Sequence, residues 1–299
     1  MTSIDVQPYI TDDAEGDSWY LMLGDSCERL AELDNDSIDL CVYSPPFASL
    51  FTYSPSDRDL GNNADRAGFL EHYSFVVNEL LRIVKPGRIV AVHCQQIATQ
   101  KGRDGHVGLT DFRGQLIKAH VDAGFVFHGE VTVDKDPQAQ AIRTKATSLM
   151  FVTLNRDSAM SRPALADYLL LFRVPGDNAV PIKPDCDNET WIEWARPIWL
   201  GIKETATLNT VVAKDDADER HICPLQLPFI ERVVRLWSNR GETVLSPFAG
   251  IGSEGYVSIQ WYRRFVGCEL KPSYWNTACD NLRRAEVERD LPQLFDEAS

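Results

Sequence analysis

The chain has no run of eighteen apolar residues, so nothing in it reads as a membrane span. Its start, Met-Thr-Ser-Ile-Asp-Val-Gln, lacks a basic stretch followed by an apolar one and is not read as a signal peptide. Cysteine is scattered: seven residues, at 27, 41, 94, 186, 223, 268 and 279, form no Cys-x-x-Cys pair. An odd, unpaired set disfavours a disulfide or metal scaffold, so no metal is expected and a reducing cytoplasm fits. Positive charge is also short, 30 Lys and Arg against 44 Asp and Glu, for a net charge of −14. That deficit speaks against nucleic acid as a partner, because DNA affinity is largely electrostatic. Its distribution softens the objection. Residues 100–173 hold ten basic and eight acidic side chains, leaving 20 against 36 elsewhere. A locally basic middle on an acidic body is compatible with modest, salt-dependent DNA binding. There is no internal repeat, no low-complexity segment and no nuclease motif.

What is present, in 299 residues, is enough for one substantial α/β core with an inserted subdomain. Apolar runs and their punctuation predict strands at 19–23, 38–43, 88–93, 125–133, 168–173, 242–246 and 264–269. Between them come helices at 26–33, 66–84, 111–123, 224–238, 253–261 and 272–288, with Lys85-Pro86-Gly87 and Gly124 as stop signals. Alternation of this kind implies a mainly parallel, doubly wound sheet. Residues 1–18 read as a mobile polar arm and 289–299 as an acidic tail. The stretches 134–167 and 174–218 are polar, proline-bearing and too long for simple connections, so recognition is expected there.

Two motifs carry chemistry. Ser44-Pro45-Pro46-Phe47 closes the strand Ile38–Tyr43, and its prolines forbid both further pairing and immediate helix. Such a turn offers a hydroxyl, outward backbone carbonyls and an aromatic plane. That set suits a flat ring held by stacking, with an amino group on its edge. Downstream, Glu242-Thr-Val-Leu-Ser246-Pro-Phe248-Ala-Gly250-Ile-Gly252-Ser253 is a strand running into a glycine turn and a helix. The next strand, Arg264-Phe-Val-Gly-Cys-Glu269, ends in a carboxylate seventeen residues after Gly252. Strand, glycine turn, helix, strand, acid is the layout of a nucleoside-binding βαβ unit, with the acid on the ribose hydroxyls.

At these residues the chain resembles the DNA amino-methyltransferases, which methylate the exocyclic nitrogen of cytosine or adenine. Their catalytic turn is (Asp/Asn/Ser)-Pro-Pro-aromatic and their cofactor turn Phe-x-Gly-x-Gly. The catalytic turn comes first here, the circularly permuted order of the group called beta. Trp19-Tyr-Leu-Met-Leu-Gly-Asp25-Ser26, His221-Ile-Cys-Pro224-Leu225 and Lys271-Pro-Ser-Tyr-Trp-Asn resemble further segments of the group. The likeness covers about 19–130 and 218–285.

The resemblance implies a Rossmann-like, circularly permuted sheet of the S-adenosylmethionine-dependent methyltransferase type with an inserted recognition region. Its parts would be an arm (1–18), a catalytic half (19–133), a target-recognition region (134–218), a cofactor half (219–288) and the tail. It implies S-adenosyl-L-methionine, held by Asp25, His221, Ser246, Phe248, Gly250, Gly252, Ser253 and Glu269, with Ser44, Pro45, Pro46 and Phe47 catalytic. Double-stranded DNA is the implied partner, in a bacterial or phage-infected cell; many relatives of this group form homodimers. Lys101, Arg103, Arg143, Lys145, Arg156 and Arg162 are the expected phosphate or base contacts. One departure stands out: the family's cofactor turn usually opens with Asp, and Ser246 offers no counter-charge.

Chemically, hydrogen-bond acceptors at the Ser44 hydroxyl and Pro45 carbonyl would localise the amine lone pair, with Phe47 stacking on a base flipped from the duplex. The loop 48–63 is placed to cover that base. His93, at a strand end near the turn, reads as a satisfied buried imidazole. Ser at the first motif position favours cytosine N4, with adenine N6 the alternative. A protein-amide or RNA methyltransferase and a non-catalytic DNA-binding relative are further readings. Cytosine C5 chemistry is disfavoured, because no strand ends in the Pro-Cys nucleophile turn it needs. Trp191, Trp194 and Trp199 read as a packed helix face rather than a base-stacking platform.

Overall fold

The computed structural model describes residues 9–46, 66–99, 101–138, 163–208 and 224–291. Strands β1 (Asp12–Glu15), β2 (Trp19–Leu23), β3 (Ile38–Tyr43) and β4 (Val84–Gln95) form the first part of the main sheet. After β4 come a small hairpin, β5 (Ile97–Thr99) and β6 (Gly108–Thr110), then β7 (Val126–Val133), β8 (Asp167–Arg173) and β9 (Ile198–Trp199). Strands β10 (Thr243–Ser246) and β11 (Arg264–Glu269) follow. The helices are α1 (Ser26–Arg29), α2 (Arg66–Ile83), α3 (Lys101–Asp104), α4 (Phe112–Ala123), α5 (Asn188–Trp194), α6 (Leu227–Trp237), α7 (Ser253–Gln260) and α8 (Pro272–Asp290).

The main sheet runs β1-β2-β11-β10-β3-β4-β8-β7-β9. Strands β2, β11, β10, β3 and β4 are mutually parallel, and β8 runs antiparallel between β4 and β7. From β10 the chain crosses through α7 to β11, toward one edge. From β3 it crosses through α2 to β4, toward the other. The winding direction therefore reverses between β10 and β3, which is where open α/β sheets leave a crevice at the carboxyl ends of their strands.

Strand periodicity builds the three layers. On β3, Cys41 and Tyr43 face a core with Val90, Val92, Leu170 and Phe172, which α2 covers with Phe69, Tyr73, Val76, Val77 and Leu80. Leu40 and Val42 face the other way, against Ile89, Ala91, Leu169 and the α6 residues Phe229, Ile230, Val233 and Val234. A third cluster places α8 on Trp19, Leu21 and Phe265. At the end of the sheet away from the crevice, buried Arg88 clasps Glu242 at 2.6 and 2.9 Å. Asp39 accepts Thr243 N–H there at 3.0 Å, so β3, β4 and β10 are pinned at both faces and at one end.

The helix expected at 26–33 is α-helical only to Arg29, the strand expected at 88–93 runs Val84–Gln95, and larger differences appear at the amino end, after β4 and within 174–218. Asp12–Glu15, inside the expected arm, pairs antiparallel with β2, from Asp12 opposite Leu23 to Glu15 opposite Tyr20. The backbone of β2 offers an unpaired edge that a charged segment can fill as well as an apolar one. The stretch between the expected strand 88–93 and helix 111–123, for which no element was expected, contains the β5–β6 hairpin and α3. Within 174–218, β9 joins the sheet edge through Thr132–Ile198 and Val133–Trp199 pairing, which buries Trp199 against Phe229 and Trp237. Trp194 lies under Arg232 and Arg235, but Trp191 is exposed and Trp199 belongs to β9, so the expected packed helix face forms only in part. Among the described residues no helix is long and apolar enough to cross a membrane, and no cluster of His, Cys, Asp and Glu is arranged to hold a metal ion.

Glu254, in the first turn of α7, is buried, and burial followed by the Glu269 charge pushes its carboxyl from the ordinary 4.5 up to about 8. The folded state thus keeps a proton that the unfolded state gives up above its ordinary value, so stability falls as pH rises from about 4.5 to about 8, by about 1.4 kcal/mol per pH unit. Glu254→Gln should therefore match wild type in urea unfolding near pH 4.5 and exceed it increasingly toward pH 8; a gap that does not change with pH would refute the buried neutral carboxyl.

Candidate active site

The site grows out of two neighbouring strand ends. Val244 pairs with Leu40 and Leu245 with Cys41, so β3 and β10 leave the sheet side by side and on the same rim. Adjacent strands lie about 4.8 Å apart, which sets the spacing of Ser44-Pro45-Pro46 and Ser246-Pro247-Phe248. Ser44 and Pro46 are half-buried and Pro45 is buried. The Phe248 ring tilts against Tyr43 at 5.7 Å between centroids, joining the two turns. Beneath them Tyr43 shares a 2.7 Å hydrogen bond with Tyr73, in a layer that also holds His120, stacked 3.9 Å from Phe172. Burial drives that imidazole down to about 4, so the floor under the turn is uncharged at neutral pH.

The glycine turn is built to approach something. Gly250 (φ 54°) and Gly252 (φ 83°) adopt the left-handed conformation that glycine accepts without cost. A Cβ on Gly250 would point into open space, whereas one on Gly252 would press against Ala278 at 3.2 Å. The first glycine thus faces the crevice and the second lets α7 pack on α8. Glu269, at the end of β11, accepts the Gly250 N–H at 2.8 Å and the Lys271 N–H at 2.8 Å. These two backbone donors hold its carboxylate rigidly at the rim.

Asp25 lies at the end of β2, one strand further along, where it caps α1 by accepting the Cys27 N–H at 2.9 Å. Gly24 N–H bonds the Glu269 carbonyl at 2.9 Å and the Ser26 hydroxyl donates to the Pro247 carbonyl, so β2, β10 and β11 are tied together at the rim. Two buried hydroxyls, Ser246 Oγ and Ser253 Oγ, find no hydrogen-bond partner among the described residues. Orphaned buried polar atoms are uncommon, and both flank the glycine turn. Open space before Gly250, two unsatisfied hydroxyls and a fixed carboxylate match the polar edge of a nucleoside with an amino-acid tail.

One side chain that the sequence did not mark as functional stands against the Ser44-Pro45-Pro46 turn. His93 Nδ1 is 3.2 Å from Ser44 Oγ, and its Nε2 lies 3.0 Å from Asp167 Oδ2. Burial pushes the Asp167 carboxyl up, but His93 and the Lys135 ammonium at 2.6 Å more than offset this and hold it below its ordinary value. Asp167 and Lys135 carry no local signal in sequence; only strand pairing brings them here.

Asp25, Ser44, Pro45, Pro46, Ser246, Phe248, Gly250, Gly252, Ser253 and Glu269 thus share one rim. Lys101 is exposed on α3, within the hairpin that leaves the same rim after β4. Arg103 lies on α3 too, with its side chain outside the described residues. Phe47, the loop 48–63, Arg143, Lys145, Arg156, Arg162 and His221 also fall outside them.

Several proteins share this architecture or sequence. TTHA0409 of Thermus thermophilus, in its complex with S-adenosyl-L-methionine, superposes with a TM-score of 0.66 over 88% of this chain and 92% of its own, at 24% identity. The cytosine-N4-specific PvuII DNA methyltransferase gives 0.64 over 94% of this chain and 88% of its own, at 16% identity. At such identities these likenesses speak for the fold. The type II methyltransferase M.BglI of Bacillus subtilis is 26% identical over 176 residues, 58% of this chain and 44% of its own length. The chain spans about half or less of the length of the curated relatives it matches. Its residues 38–280 match the N6/N4 family described as DNA methylase, a stretch that includes both turns and the strands between them, and the chain belongs to that family.

Proposed function

We propose that this chain transfers a methyl group from S-adenosyl-L-methionine to the exocyclic N4 amine of a cytosine swung out of double-stranded DNA. The observation that carries this reading is the pairing of β3 with β10, which sets the Ser44-Pro45-Pro46 turn beside the glycine turn at the switch point of the sheet. Glu269 accepts the ribose hydroxyls, Gly250 lets the backbone close on the ligand, and the Ser246 and Ser253 hydroxyls meet its polar edge. Asp25, Phe248, Gly252 and His221 complete the cradle. Ser246 in place of a carboxylate leaves the ligand's amino group without a counter-charge, so binding is weaker than an acidic residue would give.

The exocyclic amine is a poor nucleophile because its lone pair is delocalised into the ring. The Ser44 hydroxyl and Pro45 carbonyl accept hydrogen bonds from its two N–H groups, which favours a pyramidal nitrogen with a localised lone pair. Phe47 stacks on the base, compensating part of the few kcal/mol that unstacking costs. The bound cofactor supplies an electrophilic methyl that needs no covalent enzyme intermediate. Positioning provides the rest of the acceleration. Lys101, Arg103, Arg143, Lys145, Arg156 and Arg162 contact the duplex, with 134–218 as the recognition region. Ser at the first motif position, typical of the cytosine-N4 members of the group the chain resembles, favours cytosine. Adenine N6 presents the same amine and is the second reading.

Labelled cofactor and duplex DNA, followed by nucleoside mass spectrometry, test the proposal. N4-methylcytosine is expected; N6-methyladenine moves the assignment to adenine, and label on protein or RNA alone overturns it. Phe47→Ala should lower kcat/KM by about tenfold or more, the worth of a base stack, and leave cofactor affinity near wild type. Loss of cofactor affinity would remove Phe47 from its role. Glu269→Ala should weaken cofactor binding on the order of tenfold in calorimetry, because a charged acceptor is lost. Unchanged affinity would remove the ribose assignment.

A further inference from the structure

Four neighbouring strands, β3, β4, β8 and β7 in sheet order, each place one polar side chain in a line along the catalytic rim: Ser44, His93, Asp167 and Lys135. Three of the four are deeply buried, at 7% exposure for His93, 4% for Asp167 and 5% for Lys135. Only Ser44 opens toward the crevice. Gln95 Nε2 donates to the second Asp167 oxygen at 2.9 Å, and Phe229 of α6 meets the His93 ring edge-on at 5.1 Å. Desolvated charges are costly unless they are paired and fixed. A scaffold role for an Asp–Lys pair needs no imidazole between it and a half-open serine.

We propose that His93 and Asp167 are positioning residues for Ser44, holding its hydroxyl as an acceptor toward the attacking amine and taking up the proton the amine sheds. This rests on the amino-methyltransferase reading of the same turn. The logic is that of a serine oriented by a histidine that a buried carboxylate in turn orients, here serving proton removal rather than nucleophilic attack. Asp167 Oδ2 lies 3.0 Å from Nε2, off the line of a well-formed hydrogen bond, yet its charge draws the ring proton to that nitrogen and leaves Nδ1 to accept from Ser44, since the partner of one imidazole nitrogen sets the state of the other. The Lys135 ammonium fixes Asp167 as the carboxylate.

The amine lone pair forms the new N–C bond while the pair of the broken C–S bond returns to sulfur, so the nitrogen is positive until it loses one proton. That proton passes to Ser44 Oγ as the serine's own hydroxyl proton passes to His93 Nδ1. The products on the protein side are a neutral serine and an imidazolium facing the Asp167 carboxylate, which releases its proton to water before the next turnover.

His93→Gly in the full-length chain tests this. Cofactor and DNA dissociation constants should stay near wild type while kcat falls on the order of 100-fold, in the range of lost acid–base assistance. Added imidazole should restore turnover, and more basic substituted imidazoles should restore it better. Nitrogen-15 NMR of the wild-type protein without DNA should place the His93 proton on Nε2, and Asp167→Asn should disturb that preference. Should His93→Gly lose cofactor binding, His93→Gln carries the test, with the same fall in kcat expected. Wild-type turnover in a His93 variant that binds both ligands, absence of rescue, or a proton on Nδ1 overturns the proposal. If the wild type methylates DNA and the variants match it, only this proposal falls; if the wild type places no methyl on DNA, the broader reading falls with it.

Discussion

Everything at the rim depends on one stretch of backbone pairing, Val244 with Leu40 and Leu245 with Cys41. These residues are some 200 positions apart in the chain, yet their hydrogen bonds fix the distance between the two turns. Both strands are buried on both faces, so neither can slip by one residue without turning Leu40 and Val42 into the α2 side and Cys41 and Tyr43 into the α6 side. The Arg88, Glu242 and Asp39 cluster reinforces the same register from the far end of the strands. Register, rather than loop conformation, is what brings the Ser44-Pro45-Pro46 turn up to the glycine turn.

The two sides of the switch point differ in electrostatic character. On the β2–β11–β10 side the groups facing the crevice are backbone amides, hydroxyls and a carboxylate braced by two N–H donors. On the β3–β4–β8–β7 side they are an ordered alternation of hydroxyl, imidazole, carboxylate and ammonium, most of it out of water. The first arrangement suits holding a ligand, the second suits moving a proton. Tyr43 and Phe248 form the contact between them, and the layer beneath, with neutral His120, adds no competing charge.

Much of this was legible in the amino-acid order. Buried parallel strands announce themselves as apolar runs closed by proline or glycine, and Ile38–Tyr43 and Arg264–Glu269 fall where their residues predict. Helix α4 is framed by Asp111, which caps it, and Gly124, which ends it at φ 113°. The segments that escaped prediction owe their structure to a neighbour. Asp12–Glu15 has no apolar residue but alanine and becomes a strand only because β2 exposes an edge. Ile198–Trp199 is two residues long and held by β7. The same limit applies to the site. The two turns carry local signatures, whereas residues 44, 93, 135 and 167 meet only through three strand pairings, and nothing about His93 in isolation distinguishes a relay from a satisfied core imidazole.

Strand β1 has a consequence beyond closing the sheet. Its exposed sequence, Asp12-Asp13-Ala14-Glu15, forms one border of the nine-stranded sheet, and among the described residues no further strand pairs with its outer side. A second molecule approaching along that border would have to align its own three carboxylates with these, and like charges directly opposite one another are unfavourable. With Asp13 held by buried Arg29, Asp12 and Glu15 leave like charge along this border, where it opposes strand-to-strand pairing between copies.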